Sequence, residues 1–504
     1  MNLITFFKVY IAKILLCFFA LSLIISPTIE NIYCGIIVLI GWNLVKTVVI
    51  SRENLLNYPL MTISLLAFGL FYFCFDLIVT ACEFKPLTFN LISPIKTFTY
   101  NLFYLCCLCI AFSLAKKRCQ KRRPLILYKL LHQTNLHKSL SLRQVWFLGL
   151  IGFIASFLYA MTSGMEQNDR STFIQIILNF RVLTPLPFLL LIPYFSNQTG
   201  NGKNSKLYVW IYLFAVLLVA TLSNRRILIV SPLICLALMW YLSALKNDTV
   251  RIKRKHFVWI VLIIPLFSIA SRFMLALSTV RGDLGELSSV EVLRKAVDNY
   301  GDEQILEERA AVFGKEAMTN YASYWNEYYV DNIILDRFCN MKPIDSSVAL
   351  LDIGNINELT GSSYLRDRFA FLFTSLLPAP LIKLFDPEFN KYSDRTGFYD
   401  YYLSVATNTR IRGDYKIGGD VGIGVATFGY SFFIISILFY YLYFLFLNCL
   451  GNLTNKGGHF YILMLAASFL IFQTNQGFMD HVEQMFRIWP VLILSYIVLR
   501  RIIK

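Results

Sequence analysis

Charge is scarce in this sequence. Lys, Arg, Asp and Glu make up 15% of the 504 residues, against a hydrophobic share of 57%. That excludes an ordinary soluble enzyme and indicates an all-α polytopic membrane protein. No Walker lysine loop is present, so nothing points to ATP drive. GIGVATFG (422–429) is no dinucleotide fingerprint, because it opens an apolar helix and has no strand or acidic partner. No H-E-x-x-H occurs, and the connection PTIEN (27–31) holds one acid and no carboxylate pair. Both absences favour arginine over a divalent metal wherever phosphate is handled. The eleven cysteines form neither a zinc pattern nor a disulfide framework. Most lie in apolar runs, and Cys106 and Cys109, a formal C-x-x-C, have no second pair or histidine beside them. No internal repeat or coiled coil is apparent.

Long apolar runs dominate instead. Twelve are long enough to span a bilayer, nine between residues 5 and 277 and three between 425 and 500. The formal net charge of +16 reads as loop topology before it reads as nucleic-acid binding. The stretch 115–144 carries nine Lys or Arg and no acid, so it is expected to be cytoplasmic, and counting from it puts both termini inside. Residues 278–422 then fall outside. They hold 22 of the 31 acids and 15 of the 47 basic residues, the split that the positive-inside bias predicts. The expected organisation is therefore 1–277, transmembrane helices one to nine with a basic cytoplasmic loop at 116–144; 278–422, one large, mainly helical extracytoplasmic loop; and 423–504, helices ten to twelve. Within the loop, SLLPAPLIKLF is too short and proline-broken to span and is read as dipping into the outer leaflet.

The chain is organised around RIRGDYKIGGDVGIGVATFG (410–429). Arg410, Arg412 and Lys416 precede Gly418 and Gly419, and the glycines lead straight into an apolar helix. Backbone N–H groups and the positive end of a helix dipole make such a loop an anion site. The alternative is that the glycines let helices pack closely. Other cations stand on the face where the charge bias is against them. Arg225 and Arg226 occupy a tight outer turn (TLSNRRILIV), Arg181 lies at membrane depth before Pro185 and Pro187, and Arg272 lies near the outer end of the ninth run. These arginines either converge on one cavity, or separately snorkel to outer-leaflet headgroups or pair with loop acids. GFMDHVEQMFR (477–487) puts His481 beside Asp480 and Glu483 in the last outer loop, where a histidine can act as a general base. Asp76 is a buried acid with two readings, proton relay or packing.

The layout of many helices, one large late outer loop and a few closing spans resembles the bacterial O-antigen polymerases, the Wzy-type oligosaccharide repeat-unit polymerases. LSNRRILIV resembles the family's outer turn with an arginine opening a span. RIRGDYKIGGDVGIGVATFG resembles its arginine- and glycine-rich return to the membrane. The resemblance implies a GT-C-like architecture, a multi-pass location in the bacterial inner membrane, and metal-independent glycosyl transfer on its outer face with no cofactor and no nucleotide. The substrate it implies is an undecaprenyl-diphosphate-linked oligosaccharide in the lipid bilayer, with a chain-length regulator as a further partner and no nucleic acid. Arg225 and Arg410 would meet the diphosphate, with Arg181, Arg226, Arg412, Lys416, Gly418 and Gly419 in support. His481 or Asp414 would serve as base. The related O-antigen ligases share the layout. A flippase of lipid-linked oligosaccharide is the second class, weakened by the missing repeat, and a membrane receptor or scaffold is the third.

Overall fold

The computed structural model describes residues 3–121, 125–161, 177–192, 205–222, 226–247, 272–273, 275–276, 279–280, 289–306, 308, 329–332, 335–352, 356–377, 382–389, 397–408, 418–451, 459–472 and 478–502. Helix accounts for 81% of the structure, and no strand occurs among the described residues. In chain order come α1 (Lys8–Ile25), α2 (Ile29–Val48), α3 (Pro59–Cys82), α4 (Pro94–Gln120) and α5 (Leu142–Met161). The apolar piece Asn179–Leu191 follows, then α6 (Ser205–Leu222) and α7 (Arg226–Asn247). The segment between the two halves contributes α8 (Met341–Ala349), α9 (Ser363–Thr374), α10 (Phe398–Thr407) and α11 (Asp420–Phe428). The chain closes with α12 (Ser431–Cys449), α13 (Phe460–Leu470) and α14 (Phe478–Ile502). Seven of these, α1 to α5, α12 and α14, are long and apolar enough to cross a membrane. Asn179–Leu191, Lys206–Ala220, Ser231–Lys246 and α13 are shorter apolar helices, and the expected run 257–277 falls almost wholly outside the described residues.

Burial follows composition. α3 is apolar all round, and every residue from Pro59 to Gly69 is buried, as expected of a helix inside a bundle. α1 instead exposes Leu16 and Ile24, a surface suited to lipid. α4 packs along α12, and α8 wedges between α4 and α11.

Three local departures from the sequence reading have physical causes. The run expected to span from 425 to 449 is two helices, broken where Gly429 adopts φ +63°. A Cβ there would stand 2.3 Å from the Leu359 carbonyl oxygen, so only glycine fits the corner. Around Pro185 and Pro187, which lack donors for an α-ladder, the Asn179–Leu191 piece is 3₁₀. GFMDHVEQMFR is no loop from Phe478 onward. It opens α14, first as an α turn and then as a π turn over Gln484–Ile488.

The two ends of the bundle differ. At one end the basic stretch folds against the closing helices. Arg500 donates to the carbonyls of Lys138 (2.9 Å) and Ser139 (3.0 Å), and the Leu140 amide donates to His459 Nδ1 at 2.8 Å. At the other end, carboxylates fasten the acidic segment to the helix termini. Glu83, just past α3, accepts the amides of Asp331 (3.0 Å) and Asn332 (3.1 Å). Asp76 accepts the Met341 amide at 3.3 Å, which gives that acid a holding role at the start of α8. Asp345 of α8 accepts from the Ile92 and Ser93 amides (2.6 and 2.8 Å) and from Thr97 Oγ1 (3.0 Å), so it caps the start of α4. Burial pushes its carboxyl above the usual range, while Lys342 and the donated hydrogen bonds pull it back.

Candidate functional site

Two features of the bundle bear on chemistry. The first is a buried polar network across four helices. Tyr104 of α4 donates to Asp420 Oδ2 at 3.1 Å, and its hydroxyl lies 2.8 Å from that of Tyr440 of α12. The Tyr440 hydroxyl bonds His481 Nδ1 of α14, and His481 Nε2 lies 3.1 Å from the Ile471 carbonyl oxygen just past α13. His481 Nδ1 is also 3.8 Å from Asp420 Oδ2. All four side chains are buried. Burial pushes the Asp420 carboxyl up, and His481 and the Tyr104 hydroxyl pull it back. Asp420 opens α11, directly after the glycines of the organising stretch, so the network fixes the point where that stretch enters the bundle.

The second feature is a cavity of about 430 Å³ between α5, the Asn179–Leu191 piece, α6, α7, α13 and α14. Its wall is apolar, with Val216, Val219, Leu463, Leu470 and Trp489 among the lining. Among the described lining residues, Arg181 is the one charged side chain. The guanidinium lies 3.7 Å from the centre of the Tyr159 ring, and Nε donates to the Leu178 carbonyl at 2.9 Å. The 3₁₀ turn holds Arg181 in place, since Thr184 returns its hydroxyl to the Arg181 carbonyl at 2.6 Å. Ser231 and Pro232 of α7 line the same cavity.

Of the residues singled out from sequence, Arg181 lies at this cavity, and Arg226 opens α7, whose second turn reaches the cavity wall. Arg225, Arg410, Arg412, Asp414 and Lys416 lie outside the described residues. Arg272 bonds the Tyr300 carbonyl at 3.3 Å and lies 3.8 Å from Glu303, which is the pairing with loop acids weighed against convergence. Gly418 and Gly419 are buried. Gly418 packs against the Tyr399 ring, and Gly419 gives its amide to the Pro343 carbonyl at 3.2 Å. A Cβ on Gly419 would meet Ile344 at 2.5 Å, so close packing accounts for both glycines. His481 is enclosed, with both ring nitrogens engaged.

Sequence reasoning missed Asp420, Tyr104, Tyr440 and Gln484. Asp420 had a signal, an acid at the head of an apolar helix. The tyrosines had none, being two of 29. Fold and composition together define a helical membrane protein. Compared with known protein families, curated proteins and solved structures, the chain matches none.

Proposed function

We propose that this protein polymerises undecaprenyl-diphosphate-linked oligosaccharide repeat units by glycosyl transfer on the outer face of the bacterial inner membrane. One observation carries the reading beyond the sequence resemblance. An apolar cavity lies between the helices, and Arg181 is the one charged side chain among its described lining residues. Such a cavity suits an amphiphile with an anionic group, and a lipid-linked phosphate is one.

In the reaction, a hydroxyl oxygen of the incoming repeat unit bonds to C1 of the growing glycan. The bond from C1 to the diphosphate oxygen breaks, and undecaprenyl diphosphate leaves with that electron pair. Its charge is met by Arg225 and Arg410, with Arg181, Arg226, Arg412 and Lys416 in support. Because His481 has both nitrogens engaged, the hydroxyl proton is assigned to Asp414. His481 then holds the entry of the Arg410–Gly419 stretch through Asp420.

The test is the polymer ladder of a host lacking the gene, complemented with Arg181→Ala, Arg225→Ala or Arg410→Ala. Each variant is expected to leave surface glycan with single repeat units. Normal long chains in all three would overturn the proposal. Full-length polymer retained inside the cell would favour a transporter, and loss of even single units on the lipid A core would favour a ligase.

A further inference from the structure

The cavity wall holds a side chain that the mechanism above leaves idle. Gln484 begins the π turn Gln484–Ile488 of α14. Such turns insert a residue into the helical ladder and gather at functional sites. Its Oε1 is buried, and among the described lining residues it is the one buried side-chain polar atom with no hydrogen-bond partner. Ser156 and Thr184, which also line the cavity, are satisfied. They share a hydrogen bond of 3.0 Å, and Tyr212 donates to the Thr184 carbonyl at 3.0 Å. An orphaned acceptor is costly, and because this Oε1 is closed off, the Gln484 side chain would meet a partner from outside the chain by turning into the cavity that the residue lines. Nor is Gln484 loosely held. His481 stands three residues earlier on the same helix and is locked to Tyr440 and to the carbonyl of Ile471, itself a lining residue.

We infer that Gln484 is a specificity-determining contact for a hydroxyl on the ligand of this cavity. A hydroxyl both donates and accepts, so it satisfies the amide in either orientation. The ligand class is then an amphiphile with three parts: an apolar chain for the Val216, Val219 and Leu470 wall, an anion for Arg181, and a hydroxyl close to that anion for Gln484. A sugar attached through phosphate to a lipid has all three, whereas a bare lipid phosphate lacks the sugar's hydroxyls. The inference rests on the proposed function for the identity of the lipid, and it adds that the first sugar is read inside the bundle.

Trp489 lines the cavity and supplies the readout. The full-length protein in nanodiscs is titrated with farnesyl diphosphate and with farnesyl-diphospho-N-acetylglucosamine. Binding is followed as the tryptophan fluorescence change that disappears in Trp489→Phe. The unaltered protein is expected to take the sugar-bearing probe about tenfold more tightly, the net discrimination of one neutral hydrogen bond. Gln484→Leu should bring both probes to the same affinity and leave that for farnesyl diphosphate unchanged, which also shows that the variant is folded. Arg181→Ala should weaken both alike. An undiminished sugar preference in Gln484→Leu would overturn the assignment of Gln484 and leave the cavity reading intact. No Trp489 response to either probe, with chain elongation still lost in Arg225→Ala and Arg410→Ala, would overturn this inference and leave the polymerase reading standing.

Discussion

Single atoms decide between competing uses of the same residue type. The glycines after Lys416 serve equally well as an anion cradle or as close-packing points on paper. In the fold, a Cβ on Gly418 would fall within 1.6 Å of the Tyr399 ring, so substitution acts on packing. Gly418→Ala is therefore expected to cost about 1–3 kcal/mol of stability by overpacking. It should be seen as a lower denaturation midpoint in detergent, without a selective loss of phosphate-probe binding. A normal midpoint with lost binding would restore the anion-site role. The same logic applies to Tyr440→Phe. That change strips the hydroxyl between Tyr104 and His481 and leaves a buried ring nitrogen unpaired, a loss of roughly 1–3 kcal/mol. Tyr443→Phe, a buried neighbour whose hydroxyl has no hydrogen-bond partner, is the matched control and should leave the midpoint in place.

Elements hold together here through carboxylates that cap or clamp, and pH probes them. Glu358 lies between α8 and α9 and binds Lys96 and Tyr100 of α4 and Tyr430 at the head of α12, the last at 2.9 Å. Burial works to raise its carboxyl, but the hydrogen bonds from Lys96, Tyr100 and Tyr430 outweigh it and hold the group below its usual range. A carboxyl depressed by folding stabilises the fold above its unfolded pKa, and that contribution fades as pH falls through the lower folded value. Glu358→Gln should therefore flatten the acid limb of the stability profile below about pH 4.5, the usual value for the group, while the unaltered protein loses stability across that window. Identical acid limbs would show that the clamp adds nothing. Asp345→Asn is the second probe at this scale. It removes the charge that caps α4 at Ile92 and Ser93, and a lost cap of this kind costs about 1–2 kcal/mol.

At the scale of the whole molecule, composition and charge bias make much of the architecture legible in the sequence. The helical class, the apolar runs and the two unlike connecting regions follow from hydropathy and from where Lys and Arg cluster, because both are summed over many residues and tolerate local error. What was not legible depends on pairs distant in sequence. Nothing near Tyr104 announces Asp420, and nothing near Asp76 announces the Met341 amide. The break at Gly429 was hidden because a left-handed glycine inside an apolar run looks like a packing glycine until Leu359 is set against it. The cavity was invisible for the same reason, since its wall draws on six separate stretches of chain. One prediction tests the arrangement directly. Lys138 lies in the basic stretch folded at one end, and Asp386 in the acidic segment at the other, and both are exposed. With the native cysteines replaced, a single cysteine at each position is treated with a membrane-impermeant maleimide in intact spheroplasts. Asp386→Cys should be labelled at once, and Lys138→Cys only after lysis, as the positive-inside bias requires. The two positions stand on opposite ends whatever the protein does, so this outcome does not depend on its activity. Prompt labelling of Lys138→Cys with protection of Asp386→Cys would invert the protein. The acidic segment with Arg410 and Arg412 would then face the cytoplasm, where no polymer leaves the cell, and the proposed reaction would lose its place.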